Sequence, residues 1–183
     1  MDSVCLSNDM TIRETLTDIT GVGDRDKSRR WHDPLRFQSE VMPLLPGEIE
    51  VIELPPGRRY QFNCFAFALG LRGISTENPF KDGFIYSPFV EKLITDGKLT
   101  KGTRPSKDGD IVLYRNMGTL KHAGRMSDTD MVISKWSGGP LLKHPLLYVP
   151  VQYGDEIEYY ESLREDDARQ LFAKYRRWNR ERL

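Results

Sequence analysis

The middle of the chain alternates apolar and polar positions in short runs, while apolar residues near both ends recur at helical spacing. Residues 63–71 form a nearly continuous apolar run behind a polar Asn63. This predicts a short buried helix closed by Gly70 or Gly73. Ser87-Pro88 reads as a second helix start, with Phe89, Leu93 and Ile94 as the buried stripe and Gly97 as the stop. Strand-like runs follow at 111–115, 120–126, 131–136 and 146–151, with a fifth at 156–160. An amphipathic helix over 165–180 closes the chain, with Leu171, Phe172, Tyr175 and Trp178 on one face. Helices followed by an antiparallel meander predict an α+β fold.

The first 58 residues read differently. Thr11 and Glu14 have capping-box spacing, and Ile12, Leu16 and Ile19 predict a short helix before Gly21 and Gly23. Residues 24–33 are a mixed-charge run expected to be a solvated linker. Prolines at 34, 43, 46, 55 and 56 then punctuate an extended segment with room for one strand at 49–54. We therefore expect an N-terminal extension and linker at 1–58 and a single α+β domain at 59–183.

A length of 183 residues suits one domain with a real core. No apolar run approaches the roughly 20 residues of a spanning helix, and no basic-then-apolar leader is visible. The reading is a cytoplasmic protein with no membrane partner, or one exported by a non-classical route. Lysines and arginines number 27 against 27 acidic residues, so no global field favours nucleic acid. The basic and aromatic residues of 174–182 are better read as a packed helix with a cationic C-terminus. Two cysteines and three histidines, none at zinc-finger spacing, imply neither a disulfide framework nor a structural zinc. No metal or cofactor is expected.

Chemistry concentrates in two places. Cys64 lies in the first turn of the predicted helix, where free N–H groups and the helix dipole favour a thiolate. His122 lies in a predicted strand, whose alternation puts Leu120, His122, Gly124 and Met126 on one face. That face is the more apolar one and is expected to lie under the helices. A histidine able to take the thiol proton is what a cysteine nucleophile needs. Gln61, Asn63 and the backbone N–H of Cys64 are candidate oxyanion donors.

Asn-Cys at a helix start, the strand Gly109-Asp-Ile-Val-Leu-Tyr114 and the later His122-Ala-Gly-Arg-Met126 together resemble the papain-like hydrolases of the NlpC and CHAP types. A closer likeness is to an uncharacterised bacterial group with Asn-Cys-x-Ala-Trp-Ala-Leu-Gly, a His-Ala-Ala-Arg strand and a following Ser-Lys, matched here by Asn63–Gly70, His122–Arg125 and Ser134-Lys135. The resemblance implies a nucleophile helix packed on an antiparallel sheet of about five strands, with Cys64 as nucleophile and His122 as general base and acid. It implies a peptide or protein substrate. Phe65 stands where the NlpC peptidases carry a small serine, and their upstream tyrosine has no counterpart. The resemblance implies thiol chemistry and leaves peptidoglycan specificity open.

A third group orienting the imidazole is left open. A two-residue turn at Asp128-Thr129 pairs His122 with Lys135, and a one-residue slip pairs it with Ser134. His144, after the Gly138-Gly139-Pro140 turn, is the other candidate. Three functions follow: a cysteine hydrolase working through a thioester on an amide or isopeptide bond, a deamidase or acyltransferase modifying a protein partner, or a non-catalytic papain-like binding or immunity protein. Oligomeric state is not legible.

Overall fold

A computed structural model describes residues 2–21, 24–57, 62–74, 83–102 and 107–180, with backbone only for residues 2–8 and 25. Its centre is one antiparallel sheet in the order β1-β5-β4-β3-β2-β6, formed by β1 (Glu50–Glu53), β2 (Ile111–Asn116), β3 (Thr119–Met126), β4 (Met131–Lys135), β5 (Leu141–Pro145) and β6 (Glu156–Tyr160). The fold is α+β, and among the described residues the sheet has six strands where about five were expected.

The expected strand at 146–151 is not formed. Trp136 N–H bonds Pro140 O at 3.1 Å, closing β4 directly into β5 at 141–145. The apolar residues that follow lie between Pro145 and Pro150. Tyr148 N–H turns back to Pro145 O, and a 3-10 turn occupies Val151–Tyr153. Proline at both ends interrupts any ladder, so this apolar run covers the sheet instead of extending it.

Alternation along β2 divides the core in two. Ile111 and Leu113 face a layer made by α4 (Cys64–Ala68), α5 (Ser87–Thr95) and α6 (Glu165–Tyr175). Val112 and Tyr114 face the opposite way, into a cluster with Leu16, Trp31, Phe37, Val41 and Ile49. Leu16, Trp31, Phe37, Val41 and Ile49 thus belong to the second layer of the core, where residues 1–58 were expected to be an extension and linker.

That layer begins with α1 (Asp2–Thr20) and α2 (Arg25–His32), followed by α3 (Pro34–Arg36) and a π-helical turn at Phe37–Val41. The charged run at 24–33 is α2, capped by the Asp24 side chain on Asp26 and Lys27 N–H. Its one aromatic residue, Trp31, is buried and stacks on Trp136 at 5.7 Å. A charged helix with a single large apolar anchor carries little periodicity, which is why its pattern reads as linker.

Candidate functional site

Cys64 is the first residue of α4, and Asn63 holds it there. The Asn63 Oδ1 accepts from Ala66 N–H at 3.1 Å as an N-cap and from Ile85 N–H at 3.2 Å, while Nδ2 donates to Ile85 O at 2.7 Å. Asn63 is thus a cap and a strap to the segment before α5. Its amide is directed at Ile85 and not at an oxyanion. Gln61 lies outside the described residues.

The two segments singled out by their sequence meet at β3. Arg125 Nε donates to Ala68 O at 3.0 Å, satisfying a carbonyl at the end of α4. Gly70 follows with φ +74°, and a Cβ there would lie 3.0 Å from the Arg125 guanidinium, so the helix stop and the arginine are fitted to each other. At the other end of α4, the backbone N–H of Ala123 acts on the Cys64 thiol, alongside those of Phe65 and Cys64 itself.

The strand geometry explains why that N–H is free. Met126 N–H points to the β2 side, bonding Asp110 O at 2.8 Å. Alternation turns the Ala123 N–H towards β4. Yet the β3–β4 ladder consists of Arg125↔Ile133 and Met126↔Val132 and stops there. Gly124 lies at the point of divergence, where a Cβ would meet Val132, Ile133 O and Ser134 at 2.5–3.0 Å. Beyond it the strands part, and the Cys64 sulfur lies near the exposed edge of β3.

His122 occupies the same stretch of β3 but faces the other layer. It sits opposite Tyr114, whose ring is 5.4 Å away, and stacks on Tyr153 at 4.1 Å with 8° between planes. This corrects the expectation that the histidine lies under the nucleophile helix. A bulge between Tyr114 and Arg115 also sends Leu120 to the α4 side, so the four predicted same-face residues are not all on one face. His122 is 0% exposed, and neither ring nitrogen has a hydrogen-bond partner among the described residues.

The expected third groups are engaged elsewhere. Ser134 Oγ lies 2.8 Å from His144 Nε2 and accepts from Trp136 Nε1 at 2.9 Å, while His144 Nδ1 lies 2.8 Å from Pro145 O. Pro145 O can only accept, so Nδ1 carries the proton and Nε2 accepts from the serine hydroxyl. All three side chains are fully buried. Ser134 and His144 form a closed relay and make no hydrogen bond to His122. The turn also differs from both expected registers, since Arg125 opposite Ile133 would place residue 122 level with 136 had the ladder continued.

Burial controls the electrostatics. Cys64 is 7% exposed, and burial pushes its thiol up to about 12 against the three N–H groups that pull it down. Burial holds His122 well below the usual imidazole range, with His144 adding to the effect, and takes His144 down to about 4. The Tyr153 phenol is raised by burial and by Cys64. Tyr153 is therefore the side chain that stacks on the imidazole and also feels the sulfur. Sequence reading missed it; the signal available was a tyrosine before a turn glycine, Gly154, at φ +90°. At neutral pH the site holds a protonated thiol and a neutral imidazole with free nitrogens.

Among the described residues, no three His, Cys, Asp or Glu side chains are grouped to hold a metal, and no helix is long and apolar enough to cross a membrane. No protein-family model, curated protein or solved structure matches the chain.

Proposed function

We propose that the chain is a thiol-dependent hydrolase of papain-like, NlpC-type architecture acting on an amide or isopeptide bond of a peptide or protein. The observation that carries this reading is the His122 imidazole, fully buried with neither nitrogen hydrogen-bonded among the described residues, one residue from the Ala123 backbone N–H that pulls the Cys64 thiol down. A buried polar group without a partner costs about 1–3 kcal/mol. Such a group, on the same strand as Ala123, which meets the start of α4, but turned to the other layer, keeps the capacity to receive a proton.

In this mechanism His122 accepts the Sγ proton and the thiolate attacks the acyl carbon, with the Ala123 and Cys64 N–H groups facing the developing oxyanion. The imidazolium protonates the leaving amine as the C–N bond breaks, giving a thioester. Water, deprotonated by the same imidazole, resolves it to a carboxylate and restores the thiol. Thiol and imidazole lie on opposite faces of β3 and are not hydrogen-bonded in the free protein, so this mechanism requires the imidazole to leave the Tyr153 stack and turn to the Cys64 face. A protein amine in place of water makes the same intermediate an acyltransferase, and a glutamine side chain as substrate makes it a deamidase.

A second reading, a non-catalytic binding or immunity protein on the same scaffold, is favoured by the thiol pKa near 12. Intact-mass analysis after exposure to peptide thioesters and activated acyl donors separates the two. The enzyme reading predicts an acyl adduct on Cys64 that is lost in Cys64→Ser and at least tenfold slower in His122→Ala. Absence of any adduct supports the second reading.

A further inference from the structure

A second polar side chain, packed against the residue that precedes Asn63, is buried with no hydrogen bond or ion pair among the described residues. Lys135 ends β4 on the face opposite Ser134 and is 2% exposed. Among the described residues it makes neither a hydrogen bond nor an ion pair. Its Nζ stands 4.8 Å from the centre of the Phe62 ring, two residues before Cys64. Arg72 lies against the same ring, with Cζ 4.3 Å from its centre. Phe62 therefore carries two cations. Among the described residues one negative side chain attends them: Glu53, whose carboxylate lies 2.8 and 3.1 Å from Arg72 Nη2.

An ammonium removed from water needs a counter-charge or several acceptors, and an aromatic face replaces only part of that. Burial accordingly brings Lys135 down to about 8, with Glu53 opposing and Arg72 reinforcing the fall. Glu53 and Arg72 are both about two-fifths exposed, so their side of the Phe62 ring is open to solvent. Their ion pair shows that the guanidinium accepts a carboxylate in this position. One more carboxylate group balances the two cations and Glu53; a phosphate dianion concentrates two charges on one group and leaves a surplus beside that glutamate.

We propose that Lys135 and Arg72, both packed against Phe62, form a binding site for a carboxylate of the substrate, so that the acyl group presented to Cys64 belongs to a molecule carrying a free carboxylate nearby. This rests on the hydrolase reading for its consequence, though binding itself does not depend on it. An anionic substrate group would draw Lys135 fully into its ammonium form and displace Glu53 from Arg72.

The test uses the full chain carrying Cys64→Ser, so that no turnover intervenes, and glutarate as the probe. Saturable binding is expected by calorimetry, with perturbation of the Lys135 side-chain resonances. Affinity should fall at least tenfold in Lys135→Met and rise severalfold in Glu53→Gln, which removes the competing carboxylate. If Lys135→Met does not fold, the Glu53→Gln gain and the Lys135 resonances still decide. No glutarate binding, equal binding in Lys135→Met, or tighter binding of inorganic phosphate than of glutarate overturns the proposal. Acyl trapping on Cys64 in the wild type reads the thiol chemistry separately, so failure of one leaves the other standing.

Discussion

His122 and His144 sit two strands apart on the same face of the sheet, both fully buried and both held neutral by burial. His144 has each ring nitrogen engaged, one with Ser134 and one with Pro145 O. His122 has an aromatic ring stacked on it and no hydrogen bond among the described residues. A satisfied buried imidazole rigidifies its surroundings and has no capacity left for chemistry. An unsatisfied one weakens the fold and keeps that capacity. The first is the signature of structure, the second of a site. The sequence offered His122 as the partner of Cys64 and His144 as a group to orient it, and their surroundings separate them.

The largest test of this division concerns the layer that covers both histidines. Trp31→Ala removes the anchor of α2 against Trp136 and should destabilise the protein by about 3–5 kcal/mol in denaturant unfolding. A loss below about 1 kcal/mol would return residues 1–58 to the status of an appendage.

Next in size is the response to acid. Both histidines have folded-state pKa values below their unfolded ones, so below about pH 6.5 the unfolded chain binds protons that the folded chain refuses. Stability is therefore greatest above pH 7 and falls as pH drops from about 6.5 towards 4. His144 alone accounts for about 3 kcal/mol of that fall, taking its folded value near 4. Urea midpoints measured across this range should lose much of their slope in a His122→Phe, His144→Phe double variant.

The smallest and most discriminating effect is a difference of sign. Ser134→Ala strands the Trp136 N–H and His144 Nε2 and should cost about 2 kcal/mol. His122→Phe keeps the stack on Tyr153 and removes two unpaired nitrogens, so it should be neutral or stabilise by up to about 1 kcal/mol. Equal destabilisation by the two substitutions would erase the distinction between structural and functional imidazole.

Much of the fold was legible because its signals are local. Alternation located β2, β3, β4 and β6, and the Ser-Pro and Asn-Cys starts located α5 and α4. Failures came where the deciding contact is distant. Trp31 marks a core helix only because Trp136 awaits it, and residues 146–149 are kept from the sheet by the hairpin that closes before them. Residues near the site were named correctly, but their connections were not. A one-residue bulge in β3 at Lys121, opposite Tyr114 and Arg115, and an early end to the β3–β4 ladder redirect Leu120 and part His122 from Ser134 and Lys135. Strand periodicity contains neither irregularity.

The account's central claim is that the Cys64 thiol and the His122 imidazole form one proton-sharing unit. The most direct measurement is the rate of Cys64 alkylation by iodoacetamide against pH, in a Cys5→Ser background, with and without His122→Ala. The account predicts reaction at neutral pH at least tenfold faster with His122 present. A rate that rises only towards pH 12 and is the same in both proteins would contradict it, leaving an inert thiol in the core of a binding scaffold.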